Sequence, residues 1–360
     1  MNSKQRVLRA FLRQETDRPP VNYFSNGGID RRLKAHFGLA PDDWEGLHRA
    51  IGVDFRSVNA HYAGPKLHAD IPERGVNVDD WGIHTRWIDH PTGGYWDYCD
   101  FPLATADVET VRNWPMPSPD DFDYSRVAAE CEQRRDHAIV IGDAGVGDII
   151  NATSMIRGME QVLMDLMFDD EACLLYIDRR MERRYEILRR TFEAAKGAVD
   201  ILWMGEDLGT QIAPLISLEL YRKHLRPRHQ HFIDLAKKYG ARVVIHTCGS
   251  SSWVYPDFIE MGVDGVDTLQ PEATNMAPAY LKKTFGDKLV LHGCISTAGP
   301  VATGTVEETR RYCSDMLDIL APGGGYCYAP THCLQDNSPV ENVVAMYEEV
   351  AAWGRRDFHA

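Results

Sequence analysis

The chain has 360 residues, of which 44% are apolar and 26% are charged, so it is an ordinary globular chain, long enough for one large α/β barrel or two smaller domains. Its net charge of −14 argues against a broad nucleic-acid-binding surface, which would need clustered lysine and arginine. No apolar run approaches the roughly 20 residues that span a bilayer, which argues against a membrane-embedded chain.

Two features of the sequence predict the compartment. The N-terminal residues 1–12 favour an amphipathic helix over the apolar core of a signal peptide. The eight cysteines are spread along the chain, so they are expected to be free thiols or metal ligands and not disulfides. Both features predict a cytoplasmic protein.

The N-terminal third predicts short helices around one strand. Apolar residues at helical spacing predict a helix that Ser3 caps and that ends near Leu12. The following Arg18-Pro19-Pro20-Val21 predicts an extended segment, because the residue before a proline avoids the helical conformation. Further helices are predicted at 29–37 and 42–51, and a strand at 53–58.

Residues 76–103 are rich in aromatic side chains arranged around a turn. The turn signal is Pro91-Thr92-Gly93-Gly94, and the flanking arms carry Trp81, Ile83, Trp87, Ile88, Tyr95, Trp96, Tyr98 and Phe101. This pattern predicts a β-hairpin. We interpret it as an antiparallel insertion over one end of the main domain; the alternative is a surface hairpin that fills only its own small core.

From residue 138 onward, short apolar strands alternate with helices. Strands are predicted at 138–141, 199–204, 242–246, 265–269, 289–291 and 325–329, and helices at 159–167, 170–196, 217–239, 252–261, 278–285, 305–320 and 339–353. This alternation predicts parallel βαβ units. An open doubly wound sheet is an alternative, but the glycine-rich 142–147 lacks the Gly-x-Gly-x-x-Gly spacing of a nucleotide-binding turn.

Polar residues follow nearly every predicted strand, as they do in (β/α)8 barrel enzymes. In chain order they are Asp143; Glu206 and Asp207; His246 and Cys248; Gln270; His292 and Cys294; and His332 and Cys333. We therefore predict the α/β class, as a (β/α)8 TIM barrel with an N-terminal helical segment and the antiparallel β-hairpin insertion at 76–103. Residues 1–360 are predicted to form a single barrel domain.

One pair of these residues is suited to a metal ion. His246 and Cys248 point to the same side of their strand because side chains alternate along it. Imidazole and thiolate together suit zinc, and three protein ligands with one open position are typical of catalytic zinc. The third ligand is His332 or Cys333, since adjacent residues face opposite ways. The alternative is a packed histidine beside a buried thiol.

Other strand-end residues are candidates for catalysis and substrate binding. Glu206 and Asp207 are candidate catalytic carboxylates, with a loop-capping pair as the alternative. The candidate substrate-binding residues are Asp143, Gln270, His292 and Gln335, and the alternative for His292 is a core histidine. The glycine before Cys294 indicates close backbone packing instead of metal binding. The histidines at 224, 229 and 231 are expected on the solvated face of a helix outside the barrel.

Several of these stretches resemble the uroporphyrinogen decarboxylase superfamily, which includes haem-pathway decarboxylases and zinc- and corrinoid-linked methyltransferases. They include Glu206-Asp207-Leu208-Gly209, His246-Thr247-Cys248-Gly249, Leu291-His292-Gly293 and Ala321-Pro322-Gly323-Gly324-Gly325. The resemblance runs from about residue 138 to the end and implies a (β/α)8 barrel.

The resemblance favours the methyltransferase branch. The decarboxylases carry an arginine-rich N-terminal segment, whereas residues 22–30 here contain no arginine. The methyltransferases carry His-x-Cys and a later cysteine as zinc ligands. His246 and Cys248 match the first two, but the later position falls on His332, with Cys333 beside it.

The resemblance implies a zinc-dependent methyltransferase that exchanges a methyl group with a corrinoid protein, in O- or N-demethylation or in thiol methylation. The corrinoid is expected on a partner protein, because this chain has no Asp-x-His-x-x-Gly corrinoid signature. A small-molecule methyl donor or acceptor and a homodimer are also expected. The alternatives are a metal-free decarboxylase of a multi-carboxylate substrate and a non-enzymatic tetrapyrrole-binding scaffold.

Overall fold

Seven parallel strands form the central sheet of the protein. A computed structural model describes residues 1–355. The strands are β1 (Phe55–Ser57), β2 (His61–Tyr62), β3 (Val76–Val78), β4 (His84–His90), β5 (Gly93–Tyr98), β6 (Phe122–Asp123), β7 (Ala138–Gly142), β8 (Ile201–Gly205), β9 (Arg242–Thr247), β10 (Gly265–Thr268), β11 (Val290–Ile295) and β12 (Tyr326–Pro330). The central sheet has the order β1-β7-β8-β9-β10-β11-β12.

Helices follow the strands along the chain and pack outside the sheet. They are α1 (Ser3–Phe11), α2 (Gly27–His36), α3 (Trp44–Ala50), α4 (Val108–Asn113), α5 (Val127–Gln133), α6 (Ile150–Arg157), α7 (Met159–Phe168), α8 (Glu171–Ala195), α9 (Leu218–Leu220), α10 (Arg226–Lys238), α11 (Tyr255–Met261), α12 (Pro278–Phe285), α13 (Pro300–Thr303), α14 (Val306–Leu320) and α15 (Val340–Trp353). A single π-helical turn, Tyr221–Leu225, joins α9 to α10 and interrupts the long helix predicted at 217–239. Helix α6 has no counterpart among the predicted helices.

The extended segment at Val21 closes the sheet into a barrel. The N–H of Asn22 donates to the Tyr328 carbonyl of β12, and the N–H of Asp54, just before β1, donates to the Val21 carbonyl. The segment therefore lies between the two edge strands as an eighth position. The predicted (β/α)8 barrel of the α/β class is confirmed, whereas the assignment of residues 1–360 to a single domain stays a prediction.

Helix α1 covers the N-terminal end of the barrel. Its residues Val7, Ala10 and Phe11 are buried with interior side chains such as Val140 and Trp203. The predicted cap was wrong by one residue, because the Asn2 side chain, and not Ser3, accepts the N–H of Gln5 at 2.9 Å. All residues of β7, β8, β11 and β12 are buried, as expected for parallel strands with helices on one side and a filled interior on the other.

The predicted hairpin is present as the antiparallel sheet β3-β4-β5, with Trp87 opposite Trp96. Residues leading into it pack on the main domain, since Trp81 and Ile83 share an apolar cluster with Ile156 of α6 and Tyr176 of α8. The insertion therefore does more than fill its own core. Within residues 1–355, no helix has the length and apolarity needed to cross a bilayer.

Candidate metal centre

Strand β9 places two potential metal ligands side by side. The Sγ of Cys248 lies 3.3 Å from Nε2 of His246. The loop after β12 brings His332 to the same place, so that one donor atom from each of His246, Cys248 and His332 lies within 4.8 Å of the others. Tetrahedral zinc with ordinary bond lengths separates nitrogen and sulfur by about 3.5 Å. The 3.3 Å between His246 and Cys248 is close to this separation, and His332 completes a group of three donors that could hold a metal ion, whereas Cys333 is outside this group.

Asp267 holds the ring of His246 from behind. It lies on β10 directly opposite His246 in the register, and its Oδ2 is 2.6 Å from Nδ1 of His246. A carboxylate on the second ring nitrogen is the usual partner of a metal-binding histidine, because it fixes the ring and the position of its proton. The sequence analysis did not identify Asp267 as a site residue. The signal that could have identified it is a carboxylate inside the apolar strand that follows β9 in the chain.

Burial and mutual contacts shift the pKa values of His246, Cys248 and Asp267. Burial acts to lower the pKa of His246, but hydrogen bonds to Asp267 and Cys248 outweigh it and raise that pKa well above its ordinary value. Burial raises the pKa of the Cys248 thiol, and the bond to His246 opposes the rise. For Asp267, burial is outweighed by the two histidines beside it, so its pKa is lowered.

Asp207 faces the candidate metal centre. Its Oδ1 accepts the N–H of Cys248 at 2.8 Å and lies 3.8 Å from Nε2 of His246. Its Oδ2 accepts the side-chain amide of Asn151 at 2.8 Å. The predicted catalytic role of Asp207 is untested, but its carboxylate is positioned to exchange a proton with a group bound beside His246.

Glu206 faces the other way, into the packing between the sheet and its helices. It is 1% exposed and accepts the backbone N–H groups of Ile149 and Ile150 at the start of α6, at 2.8 and 3.0 Å. Nε2 of His229 lies 3.3 Å away. Burial raises the pKa of Glu206 to about 8. No contact within residues 1–355 supports its predicted catalytic role.

The sequence predicted that His224, His229 and His231 lie on a solvated helix face, and this prediction was wrong for His224 and His229. His229 is completely buried beside Glu206, and His224 is 5% exposed, whereas His231 is exposed. Burial lowers the pKa of His229 to about 4. Within α10, helical spacing places His229 on the same face as the buried Phe232, Ile233 and Ala236, a signal that the expectation of a solvated face overlooked.

We expect the unfolding free energy of the metal-free protein to fall between pH 6.5 and 8 because of Glu206. Its pKa is about 8 when folded and near 4.3 when unfolded, so in this window the folded state binds more protons and loses stability as pH rises. His229 opposes this loss slightly: its pKa is about 4 when folded and near 6.5 when unfolded, so its loss of protons in the unfolded state adds about 0.4 kcal/mol of stability over the same window. At about 1.4 kcal/mol per pH unit, the loss from Glu206 is about 2 kcal/mol.

Urea unfolding of the wild type and of Glu206→Gln at both pH values measures this effect. The amide cannot accept both backbone N–H groups well, so the variant is expected to be less stable throughout, but its stability should change less with pH. Glu307→Gln, at an exposed residue, is the matched control. Equal pH slopes in all three proteins would contradict the assignment.

The other predicted residues are divided between a cavity and its surroundings. A cavity of about 580 Å³ lies beside the candidate metal centre, and among its lining residues are Phe24, Phe55, Asp143, Trp203, His246, Asp267, His332 and Cys333. Gln270 accepts the Gly249 N–H at 2.6 Å, and the amide of Gln335 donates to the Cys333 carbonyl at 2.7 Å. Their predicted substrate contacts, and those of Asp143 and His292, stay predictions.

His292 and Cys294 are both buried residues of β11. His292 is 2% exposed, behind Asp267 as seen from the cavity. Cys294 is fully buried, and burial raises the pKa of its thiol. The close packing expected at Gly293 is present, because an added Cβ there would lie 2.2 Å from the Thr268 carbonyl oxygen.

Comparisons with known proteins agree with this architecture. A curated methylated-thiol–coenzyme M methyltransferase from Methanosarcina mazei is 26% identical over 196 residues, which are 53% of this chain and 47% of that relative. The chain thus matches about half the length of this curated relative. A solved methyltransferase from Methanosarcina mazei has the same fold, with a TM-score of 0.63 and 18% identity over 98% of this chain and 99% of its own. The family model of uroporphyrinogen decarboxylase (URO-D) matches residues 101–353, most of the length, and the chain therefore belongs to that family.

Proposed function

We propose that this protein is a zinc-dependent methyltransferase that transfers a methyl group between a corrinoid protein and a small thiol. The observation that carries the proposal is the convergence of His246, Cys248 and His332, with Asp267 fixing the ring of His246. The curated relative, whose name specifies methylated thiols and coenzyme M, supports the thiol as the small-molecule reactant.

The donor set is suited to catalytic zinc. Nε2 of His246, Sγ of Cys248 and a ring nitrogen of His332 would hold the ion and leave a fourth position for a ligand. Zinc bound there supplies a lowered pKa for a thiol beside it, so that the nucleophilic thiolate is present near neutral pH.

The chain's own side chains account for the remaining requirements. The carboxylate of Asp207 accepts the thiol proton, since it lies 3.8 Å from Nε2 of His246 and is held by the Cys248 N–H. The rings of Phe24, Phe55 and Trp203 line the cavity and exclude water from the thiolate. His332 is exposed, so the reacting group faces an opening through which a partner can approach.

The cavity is less suited to the alternative, a metal-free decarboxylase of a multi-carboxylate substrate. Such a substrate needs free cationic side chains. The two arginines that line the cavity are already paired, Arg56 with Glu45 at 2.8 Å and Arg134 with Glu130 at 2.8 Å.

The test is transfer of the methyl group of methylcobalamin to 2-mercaptoethanesulfonate by zinc-loaded protein, followed by cobalamin absorbance and by detection of the methyl thioether. We expect turnover, and a decrease of about 100-fold in kcat for Asp207→Asn, because the amide cannot accept the proton. Glu307→Gln, which changes an exposed carboxylate outside the cavity lining, is the control and should retain the activity.

Two results would contradict the proposal. One is carbon dioxide release from uroporphyrinogen without methyl transfer, which would favour the decarboxylase. The other is methyl transfer at an undiminished rate by protein from which zinc has been removed.

A further inference from the structure

A buried histidine stands behind the candidate metal centre. Nδ1 of His292 is 2.6 Å from Oδ1 of Asp267, whose other oxygen holds His246. On its far side, Nε2 of His292 is 3.2 Å from the side-chain amide nitrogen of Asn22. The rings of Phe24, Phe55 and Trp203 surround it, with centroids at 6.0, 5.9 and 4.8 Å. His292 therefore has two polar neighbours and an apolar enclosure.

The orientation of the Asn22 amide is determined by the backbone. Its Oδ1 accepts the N–H of Tyr23 at 2.9 Å. A flipped amide would place its NH2 group against that N–H, donor against donor. The amide nitrogen must therefore face His292, where it can only donate. It follows that Nε2 of His292 is the acceptor and carries no proton.

The positions of the other protons follow from this one. A neutral imidazole without a proton on Nε2 carries it on Nδ1, so His292 donates to Oδ1 of Asp267. Oδ2 of Asp267 then receives the Nδ1–H of His246. In its neutral form, His246 therefore presents the lone pair of Nε2 toward Cys248, and this is the form that binds a metal.

We propose that His292 and Asn22 are positioning residues that hold Asp267 in place and thereby set which nitrogen of His246 is free to bind the metal. Asp267 is 3% exposed, and a buried carboxylate needs partners on both oxygens. With only His246 as a partner, the carboxylate could rotate, and the ring of His246 would lose its fixed direction. The part of the proposal that concerns metal affinity rests on the proposed zinc site, whereas the proton arrangement does not.

The first test reads the protons directly in metal-free protein. Ring-nitrogen chemical shifts from ¹⁵N-labelled histidine should show His292 as the neutral Nδ1–H form. In Asn22→Ala, the donor that keeps Nε2 without a proton is lost, while Asp267 still requires the proton on Nδ1, so a fraction of His292 with protons on both nitrogens is expected. An Nε2–H form of His292 in the wild type would overturn the proposal whether or not the protein binds zinc.

The second test uses Co(II) as the metal probe, with affinity and the visible d–d spectrum as readouts. His292→Leu is expected to weaken Co(II) binding about 10- to 100-fold and to alter the spectrum. His292→Asn, whose amide can donate from near the Nδ1 position, should recover most of the affinity. Equal affinity and spectrum in His292→Leu and the wild type would overturn the proposal.

A matched control separates positioning from general damage to the barrel. Cys294→Ala changes a buried residue of the same strand without touching the chain of hydrogen bonds, and it should leave the Co(II) spectrum unchanged. Circular dichroism verifies that each variant is folded. If His292→Leu does not fold, the Co(II) affinity and spectrum of the milder variant Asn22→Ala test the positioning role instead. If the wild type binds no Co(II), the zinc site is wrong, and the nitrogen shifts alone decide the proton arrangement.

Discussion

A Cys248→Ser protein is expected to lose zinc, with a decrease in affinity well beyond the roughly 10- to 100-fold that follows loss of an outer hydrogen bond. The same result is expected for His332→Ala. Each change leaves two of the three converging donors, and serine replaces a thiolate, the softer and more strongly binding ligand. Metal analysis after dialysis and competition with a chromophoric chelator measure both effects.

Cys333→Ser is the decisive control. The sequence leaves His332 and Cys333 as equal candidates for the third ligand, but only His332 lies in the converging group. Cys333 also lines the cavity, so its substitution perturbs the same region without removing a donor. Loss of zinc from Cys333→Ser with retention in His332→Ala would show that the loop after β12 adopts a different position when the metal binds.

Asp54→Ala is expected to destabilise the protein by about 3 kcal/mol, the low end of the range for breaking a buried ion pair, because it removes the carboxylate that Arg6 and Arg18 share while Arg6 keeps its second partner, Asp17. The Asp54 carboxylate is completely buried, and its oxygens lie 2.7 Å from Nη1 of Arg6 and 2.7 Å from Nη1 of Arg18. It also accepts the N–H of Val21 at 2.8 Å. One side chain therefore joins α1, the closing segment of the barrel and β1. Urea unfolding at neutral pH measures the change.

The matched control is an ion pair of the same chemistry at the surface. Glu307 pairs with Arg311 at 3.1 Å, but their side chains are 86% and 66% exposed. Water solvates both groups after either is removed, so Glu307→Ala should cost no more than about 0.5 kcal/mol. A cost below about 1 kcal/mol for Asp54→Ala would mean that Asp17, the backbone carbonyls and water satisfy Arg6 and Arg18 without the Asp54 carboxylate.

The positions of the strand-end residues were predictable because they depend on local rules. Alternation along one strand places His246 and Cys248 on the same side, whatever surrounds the strand. The regular succession of strands and helices predicts a parallel sheet with its polar strand ends at one face. The structure bears out both, with Cys248 Sγ 3.3 Å from His246 Nε2 at the end of β9.

Other parts of the site depend on contacts between segments far apart in the chain. Asp207 turns toward Cys248 while Glu206 turns into the packing beside His229, although the sequence presented the two carboxylates as one pair. His229 lies three and four residues before the buried Phe232 and Ile233 of α10, so helical spacing by itself indicates that it faces inward. Its contact with Glu206, at the end of a different strand, depends on how α10 packs on the barrel.

By itself, the sequence determined the barrel class, the hairpin and the pair His246 and Cys248, because hydrophobic periodicity and turn residues act over a few positions. Only the tertiary structure decided for His332 over Cys333 as a converging donor, and only it revealed Asp267 as the partner of His246. Both outcomes depend on the register between neighbouring strands and on the path of one loop. These are set by the packing of the whole barrel, which no short stretch of sequence specifies.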